Sequence, residues 1–112
     1  MSKKKDPNEV AFNADLRNNE RCRARELKEF KGNEVVQRVV NEHRDLREKI
    51  IRLDHFIFRV ECAENSRMVR TEQFKALPKA HGRLLLDQLT RMTQYDIILE
   101  KRIELFRKEA KR

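Results

Sequence analysis

The sequence predicts an all-α fold, an antiparallel hairpin of two long helices with an N-terminal accessory helix, assembled as an oligomeric helical bundle. Charged residues make up 41% and hydrophobic residues 38% of the chain, with two Gly and no Trp, a balance typical of long amphipathic helices. Two stretches also place apolar residues in steps of three and four, the spacing of packed helices. A 112-residue chain buries only about two thirds of its unfolded surface on its own. We therefore expect copies to share their apolar stripes.

The first 33 residues are predicted to form a basic N-terminal arm or accessory helix, ahead of a hairpin domain at residues 34–112. Residues 1–5 should be disordered. Asp6 is the expected N-cap, with Pro7 at the first helical position. A helix can then run to Lys31, and Gly32-Asn33 is the expected stop. The apolar residues of this segment lie on no single stripe, which is why a partly ordered arm stays an alternative.

The hairpin is predicted from two seams. The first helix should run from about residue 34 to about residue 62, with the seam Val39, His43, Leu46, Ile50, Leu53, Ile57 and Val60. A connection over residues 63–76 follows, in which residues 71–73 can start a short helical turn. Pro78 marks the first turn of the second long helix, which should reach at least Arg107. Its seam is Leu85, Leu89, Met92, Leu99, Ile103 and Phe106, with Leu84, Ile98 and Leu105 alongside.

The sequence contains no recognisable catalytic or metal-binding motif, so we predict a binding protein rather than an enzyme, with no cofactor. Gly32 and Gly82 stand alone, so there is no glycine-rich phosphate loop. His43, His55 and His81 are too far apart for an HExxH-type site, and no paired cysteines accompany them. The two cysteines are isolated and no signal peptide is recognised, which predicts a reducing cytoplasm. No apolar run approaches the roughly 20 residues of a membrane span, so no membrane partner is expected.

The charge favours an anionic partner, with a solvated basic surface as the alternative. The net charge is +8 and the pI is near 9.9, which favours anions. Lys3-Lys4-Lys5 is the only basic run, and acidic residues are interleaved through both long helices. This distribution argues against a dedicated nucleic-acid-binding tail.

Polar residues recur every seven positions beside the two seams. They are Gln88, Tyr95 and Arg102 on the second helix, and Arg38, Asp45, Arg52 and Arg59 on the first. Such side chains commonly reach solvent or form salt bridges between helices, and His43 within its seam is commonly a core histidine. Alternatively, the arginines could hold phosphate oxygens while aromatic rings stack on a base. Composition leaves both interpretations open.

Two stretches resemble a known family. Residues 43–57 read HRDLREKIIRLDHFI, close to a pattern of an aromatic residue followed by LxxxIxxLxxFI. Residues 84–103 read LLLDQLTRMTQYDIILEKRI, close to LLxxQxxxMxxYxxxLxxRI. These patterns resemble the helical hairpin shared by phage anti-CBASS sponges, the N-terminal part of anti-Thoeris sponges, and small proteins of crAss-like and other phages. The resemblance covers about residues 36–106.

The resemblance implies a phage protein of host immune evasion in the host bacterial cytoplasm. Sponges of this family bind cyclic oligonucleotide immune signals, such as cyclic dinucleotides, without hydrolysing them, and assemble as hexamers with pockets between protomers. By this likeness Arg59 contacts phosphate, Arg102 contributes to a second inter-subunit pocket, and His43 takes the place of a base-stacking aromatic residue. The predicted ligand-binding set is His43, Arg52, Arg59, Gln88, Tyr95 and Arg102, of which Gln88 and Tyr95 can instead be structural.

Three departures from the family pattern bear on these expectations. His43 replaces a larger aromatic ring, the connection from Arg59 to Pro78 is longer, and the first 33 residues have no counterpart. Two rival functions follow: a helical interaction or scaffold module whose hairpin only mediates assembly, and a basic nucleic-acid-binding protein.

Overall fold

The computed structural model describes residues 6–62, 64 and 66–111. Its elements, in chain order, are α1 (Pro7–Glu29), α2 (Glu34–Ile57), β1 (Phe58–Cys62), β2 (Arg67–Arg70), α3 (Glu72–Lys75) and α4 (Lys79–Ala110). The predicted all-α class is confirmed, with one small pair of antiparallel strands added. The predictions for residues 1–5, Ala63 and Asn65 lie outside the described residues. None of the described helices has the length and apolarity to cross a bilayer.

The N-terminal segment forms a complete helix rather than a partly ordered arm. Asp6 caps α1, because its Oδ1 accepts a hydrogen bond from the Asn8 backbone N–H at 2.9 Å. The chain then reverses at Gly32, whose φ is +86°, and Asn33 caps α2 by accepting from the Val36 N–H at 3.2 Å. The predicted start of this helix is therefore confirmed, and the helix ends at Glu29, two residues before the predicted Lys31.

Helix α2 is the central element and packs against both α1 and α4. Arg47 of α2 bonds to Asp96 of α4, whereas Arg107, near the end of α4, bonds to Glu29, just before α2 begins. The two helices are therefore antiparallel, as the hairpin prediction requires. The apolar core between them consists of Phe30, Val36, Val39, Val40, Leu99 and Ile103, with Leu27, Leu46 and Phe106 packed around it.

Helix α1 attaches to α2 mainly through polar side chains. The buried Asn19 donates from Nδ2 to the Arg44 carbonyl at 2.9 Å. Arg44 in turn donates from Nε to Glu26 at 2.8 Å, and Gln37 donates to the Leu27 carbonyl at 3.1 Å. This explains why the sequence of α1 shows no continuous apolar stripe.

Arg107 joins the last turns of α4 to the end of α1. Its Nε lies 2.5 Å from one carboxylate oxygen of Glu29 and its Nη2 lies 2.9 Å from the other. The guanidinium also lies 5.8 Å from the centre of the Phe30 ring. The hydrogen bond from Arg107 lowers the pKa of Glu29.

The prediction that the first long helix reaches residue 62 is wrong, because α2 ends at Ile57 and the chain becomes extended. In the strand pair Phe58 lies opposite Arg70 and Val60 opposite Met68. The side chain of Asn8 also accepts from the Val60 N–H at 2.7 Å and donates to the Val60 carbonyl at 3.2 Å. The backbone of residues 58–62 thus finds its hydrogen bonds outside a helix, through β2 and α1, and the apolar spacing that includes Val60 does not reveal this.

The short helical turn predicted near residue 71 is confirmed as α3. Thr71 caps it by accepting from the Phe74 N–H at 3.1 Å, and the Thr71 hydroxyl donates to the Phe56 carbonyl at 2.5 Å. Pro78 is the N-cap of α4 rather than a residue of its first turn. Phe74, 7% exposed, packs beneath the start of α4.

Candidate functional site

The six predicted ligand-binding residues lie in different parts of the molecule. His43 is in the core between α2 and α4. Gln88, Tyr95 and Arg102 are exposed on α4, whereas Arg52 and Arg59 are exposed on the last turns of α2 and on β1. The cleft that contains Arg59 is lined by none of the other five. Within one chain, therefore, the structure does not bring the six side chains into one pocket.

The Arg59 cleft lies where α2, β1, α3 and the start of α1 meet, and its volume is about 360 Å³. Its lining consists of Asp6, Asn8, His55, Phe56, Arg59, Thr71, Glu72 and Gln73. Helix α2 supplies the imidazole and aromatic ring, β1 supplies the guanidinium, and the residues around α3 supply hydroxyl, carboxylate and amide groups. A cation, ring faces and hydrogen-bonding groups are the components that recognise a phosphate-bearing ring compound.

An aromatic stack supports one wall of the Arg59 cleft. The rings of His55 and Phe12 are stacked, with centroids 4.2 Å apart and planes 21° from parallel. The Arg52 guanidinium lies 5.9 Å from the centre of the same Phe12 ring, and Arg52 also pairs with Glu48 at 3.8 Å. Arg52 therefore contacts the ring that supports His55 but does not itself line the cleft.

His43 occupies a buried polar cluster rather than an open surface. It is 2% exposed, and its Nε2 lies 3.0 Å from Asp96 Oδ1. Among the described residues neither ring nitrogen has an aligned hydrogen-bond partner. Burial lowers the pKa of His43, against a raising effect of Asp96. A ring so enclosed is not placed to stack on a base, and the imidazole that borders a cleft is His55.

Asp96 is the residue of this cluster that sequence reasoning missed. It is 5% exposed and accepts from Arg47 Nε at 3.1 Å and from Arg47 Nη2 at 2.9 Å. The sequence does indicate that Asp96 lies on the seam of α4, because the positions of Met92, Asp96, Leu99 and Ile103 are separated by steps of four and three. An acidic residue on the seam of α4 together with a histidine on the seam of α2 would have indicated a buried cluster of paired charged groups.

The cluster offers a possible cation site, which the geometry argues against. Ligand atoms of His43, Asp96 and Glu100 lie within 4.8 Å of one another. However, Arg47 donates to both oxygens of Asp96. A metal ion here would replace these charge-assisted bonds and face the guanidinium at short range. The cluster is therefore explained as a structural contact between α2 and α4.

On α4, Tyr95 is 42% exposed and its hydroxyl donates to the Glu42 carboxylate on α2. That hydrogen bond raises the pKa of Tyr95, while the charge of Arg102 acts to lower it. Gln88 lies seven residues before Tyr95 on the same helix, and its Nε2 is 3.7 Å from the Met92 sulfur. The predicted row of Gln88, Tyr95 and Arg102 is thus present on an open face of α4, with Tyr95 also bridging to α2.

The exposed face of α4 carries apolar side chains that do not pack against the rest of the chain. Leu84 is 65%, Ile98 54% and Leu105 58% exposed. Because these residues are separated by multiples of seven, they lie along one side of the helix. They are the residues predicted to lie alongside the seam, and within one chain they remain uncovered.

Comparison with known proteins identifies a family. The protein-family model described as Sequestin matches residues 33–105, about two thirds of the chain. No curated protein and no solved structure shows a significant match. The matched segment contains α2, both strands, α3 and most of α4, and leaves α1 outside.

Proposed function

Because this chain belongs to the Sequestin family, we propose that it binds a small phosphate-bearing ligand and withholds it from other proteins without chemical turnover. The family name describes sequestration and fits a protein that holds a ligand. The ligand class proposed is a cyclic oligonucleotide immune signal, such as a cyclic dinucleotide, and the biological setting proposed is phage evasion of host defence in the bacterial cytoplasm. The resemblance of residues 43–57 and 84–103 to phage sponges supports this choice.

The observation that carries the proposal is the Arg59 cleft. Its volume of about 360 Å³ is in the usual range for small-molecule sites. Arg59 would donate in bidentate fashion to a phosphodiester oxygen pair, and His55, held by Phe12, would offer a ring edge or face to a base. Asp6 and Glu72 also line the cleft. They would disfavour additional phosphates nearby and select a compact ligand.

We further propose that the functional form is a homo-oligomer in which a second copy covers the α4 face. Leu84, Ile98 and Leu105 supply the apolar stripe, and burying such side chains contributes roughly 1.5–3 kcal/mol each. A partner along this stripe would also lie next to Tyr95 and Arg102. An inter-subunit pocket containing Arg102 would then be formed at that interface. The hexamer implied by the phage resemblance is one such assembly.

The ligand proposal is tested by calorimetric titration with a panel of cyclic di- and trinucleotides, followed by mass analysis of the recovered ligand. At least one compound should bind and be recovered unchanged. Arg59→Ala should weaken its binding by about tenfold or more, the value of one charge-assisted contact. Arg91→Ala, which removes an exposed arginine of α4, is the matched control and should stay within about twofold of the native protein. If no compound of the panel binds, or if both variants lose the same binding affinity, the proposed ligand class is wrong.

The assembly proposal is tested by sedimentation. Ile98→Glu and Leu105→Glu together should convert an oligomer to a monomer, because two charges would have to be buried in an apolar contact. Val35→Glu is the control, since Val35 is also well exposed, at 63%, but lies on α2. A native protein that sediments as a monomer at all concentrations would contradict this part of the proposal.

A further inference from the structure

A second cavity lies between β2, α3 and the first turns of α4, with a volume of about 330 Å³. We call it the basic cavity. Its lining includes the cations Arg70, Lys75, Lys79 and Arg83 and the apolar residues Phe74 and Leu77. The proposed function does not use any of these six side chains.

The inner wall of the basic cavity is fixed by core packing. Phe74 is 7% exposed, and a Cβ built on Gly82 would lie 3.3 Å from the Phe74 Cζ. The glycine therefore allows α4 to approach the ring closely. The Arg70 guanidinium lies over the same ring, 5.2 Å from its centre, and 5.8 Å from the centre of Phe58. One of the four cations is thus held in place by two aromatic rings.

The charge around the basic cavity is one-sided. No carboxylate is among the described residues that line it, although the chain as a whole has 19 acidic against 27 basic residues. Lys75 pairs with Glu72 at 3.4 Å, but the Glu72 side chain is 85% exposed, so solvent screens this contact. Across the described part of the chain, Lys79 and Arg83 form no ion pair at all.

The start of α4 does not offset this positive charge. The first turn of α4 contains no acidic residue, and the N-cap Pro78 provides no side-chain hydrogen bond. The positive end of the helix dipole therefore adds to the four side chains. Four like charges near one cavity repel one another, and a bound anion would relieve that repulsion.

We propose that the basic cavity is a binding site for the phosphate groups of a small phosphorylated molecule, separate from the Arg59 cleft. Arg70 and Arg83 provide planar forks for two phosphate oxygens, and Lys75 and Lys79 provide mobile point charges. Leu77 offers an apolar edge for the rest of the ligand. The two sites lie on different parts of α3: Glu72 and Gln73 line the Arg59 cleft, whereas Phe74 and Lys75 line the basic cavity.

The test uses inorganic pyrophosphate as the probe, with the full chain and calorimetry at fixed salt. The double variant Lys79→Gln/Arg83→Gln should bind pyrophosphate at least about tenfold more weakly than the native protein. The control Arg91→Gln/Lys101→Gln removes the same charge from two exposed residues of the same helix, and should change the affinity by no more than about twofold. Circular dichroism establishes that both variants are folded.

Two further measurements distinguish the basic cavity from the Arg59 cleft and from a general attraction to polyanions. Lys79→Gln/Arg83→Gln should leave the affinity for a cyclic nucleotide held in the Arg59 cleft within about twofold of the native value, because neither residue lines that cleft. This proposal and the proposed cyclic oligonucleotide site can therefore fail independently. No pyrophosphate binding by the native protein, or equal losses in the two double variants, would overturn the basic cavity as a site. Tighter binding of a single-stranded RNA than of pyrophosphate, weakened alike in both double variants, would also overturn it in favour of diffuse electrostatic binding.

Discussion

Replacing Asp96 by Ala removes the acid at the centre of the contact between α2 and α4. Asp96 is 5% exposed and accepts two charge-assisted hydrogen bonds, at 3.1 and 2.9 Å, from Arg47. Breaking a fully buried pair costs about 3–5 kcal/mol. The Arg47 side chain is 38% exposed, so its charge can reach water in the variant, and we expect a smaller loss of about 2 kcal/mol.

Urea unfolding followed by circular dichroism measures this loss directly. In a chain of this size, about 2 kcal/mol corresponds to a fall in Tm of roughly 8–16 °C. Asp87→Ala is the control, because Asp87 lies on the same helix but is exposed, and it should change the unfolding free energy by less than about 0.5 kcal/mol. In an Arg47→Met background the Asp96→Ala change should cost less than in the native protein, because the pair is already broken. Equal effects of Asp96→Ala and Asp87→Ala would refute the assignment of Asp96 as a stabilising contact.

Three further predictions concern stability. Burial lowers the pKa of His43 from 6.5 in the folded protein. As the pH decreases, His43 is therefore protonated in the unfolded chain before it is protonated in the folded one. The unfolding free energy should then fall as pH decreases from about 7.5 to about 5.5, with a shallower fall in His43→Gln; equal slopes in urea titrations would contradict this. Gly32→Ala should lower the unfolding free energy by about 1 kcal/mol, because φ is +86°, a conformation unfavourable for alanine. No steric clash adds to this loss, since no other atom lies within 4 Å of the added Cβ; an unchanged Tm would contradict the prediction. Asn8→Ala should raise amide exchange at Val60, because two hydrogen bonds to its backbone disappear, while exchange in the core of α2 stays unchanged; protection retained at Val60 would be the contrary result.

The helices could be predicted because their signals are local in sequence. The steps of three and four that contain Val39 and Leu99 lie within single helices, and the caps at Asp6 and Thr71 act on backbone groups two or three residues away. The strand pair could not be predicted in this way. It depends on Asn8, which is 52 residues from Val60 in sequence, and no local pattern records that contact.

For the candidate site, the sequence predicted the kinds of side chain involved but not where they lie relative to one another. Sequence spacing identified Arg59 and the α4 row with Tyr95, and it placed His43 on a seam, where burial is the ordinary outcome. It could not show that His55 rather than His43 borders a cleft, because the cleft is formed by segments that are distant in sequence, namely the start of α1, the end of α2, β1 and the residues around α3. The basic cavity was missed for a similar reason, since its four cations come from three different elements.

The bond between Arg107 and Glu29 links the two flanks of the family segment, because both residues lie outside residues 33–105. Removing the N-terminal flank would leave Arg107 without this carboxylate partner, and removing the C-terminal flank would leave Glu29 without its guanidinium partner. The N-terminal helix and the final turns of α4 are therefore held to each other by a contact that the family segment alone does not contain.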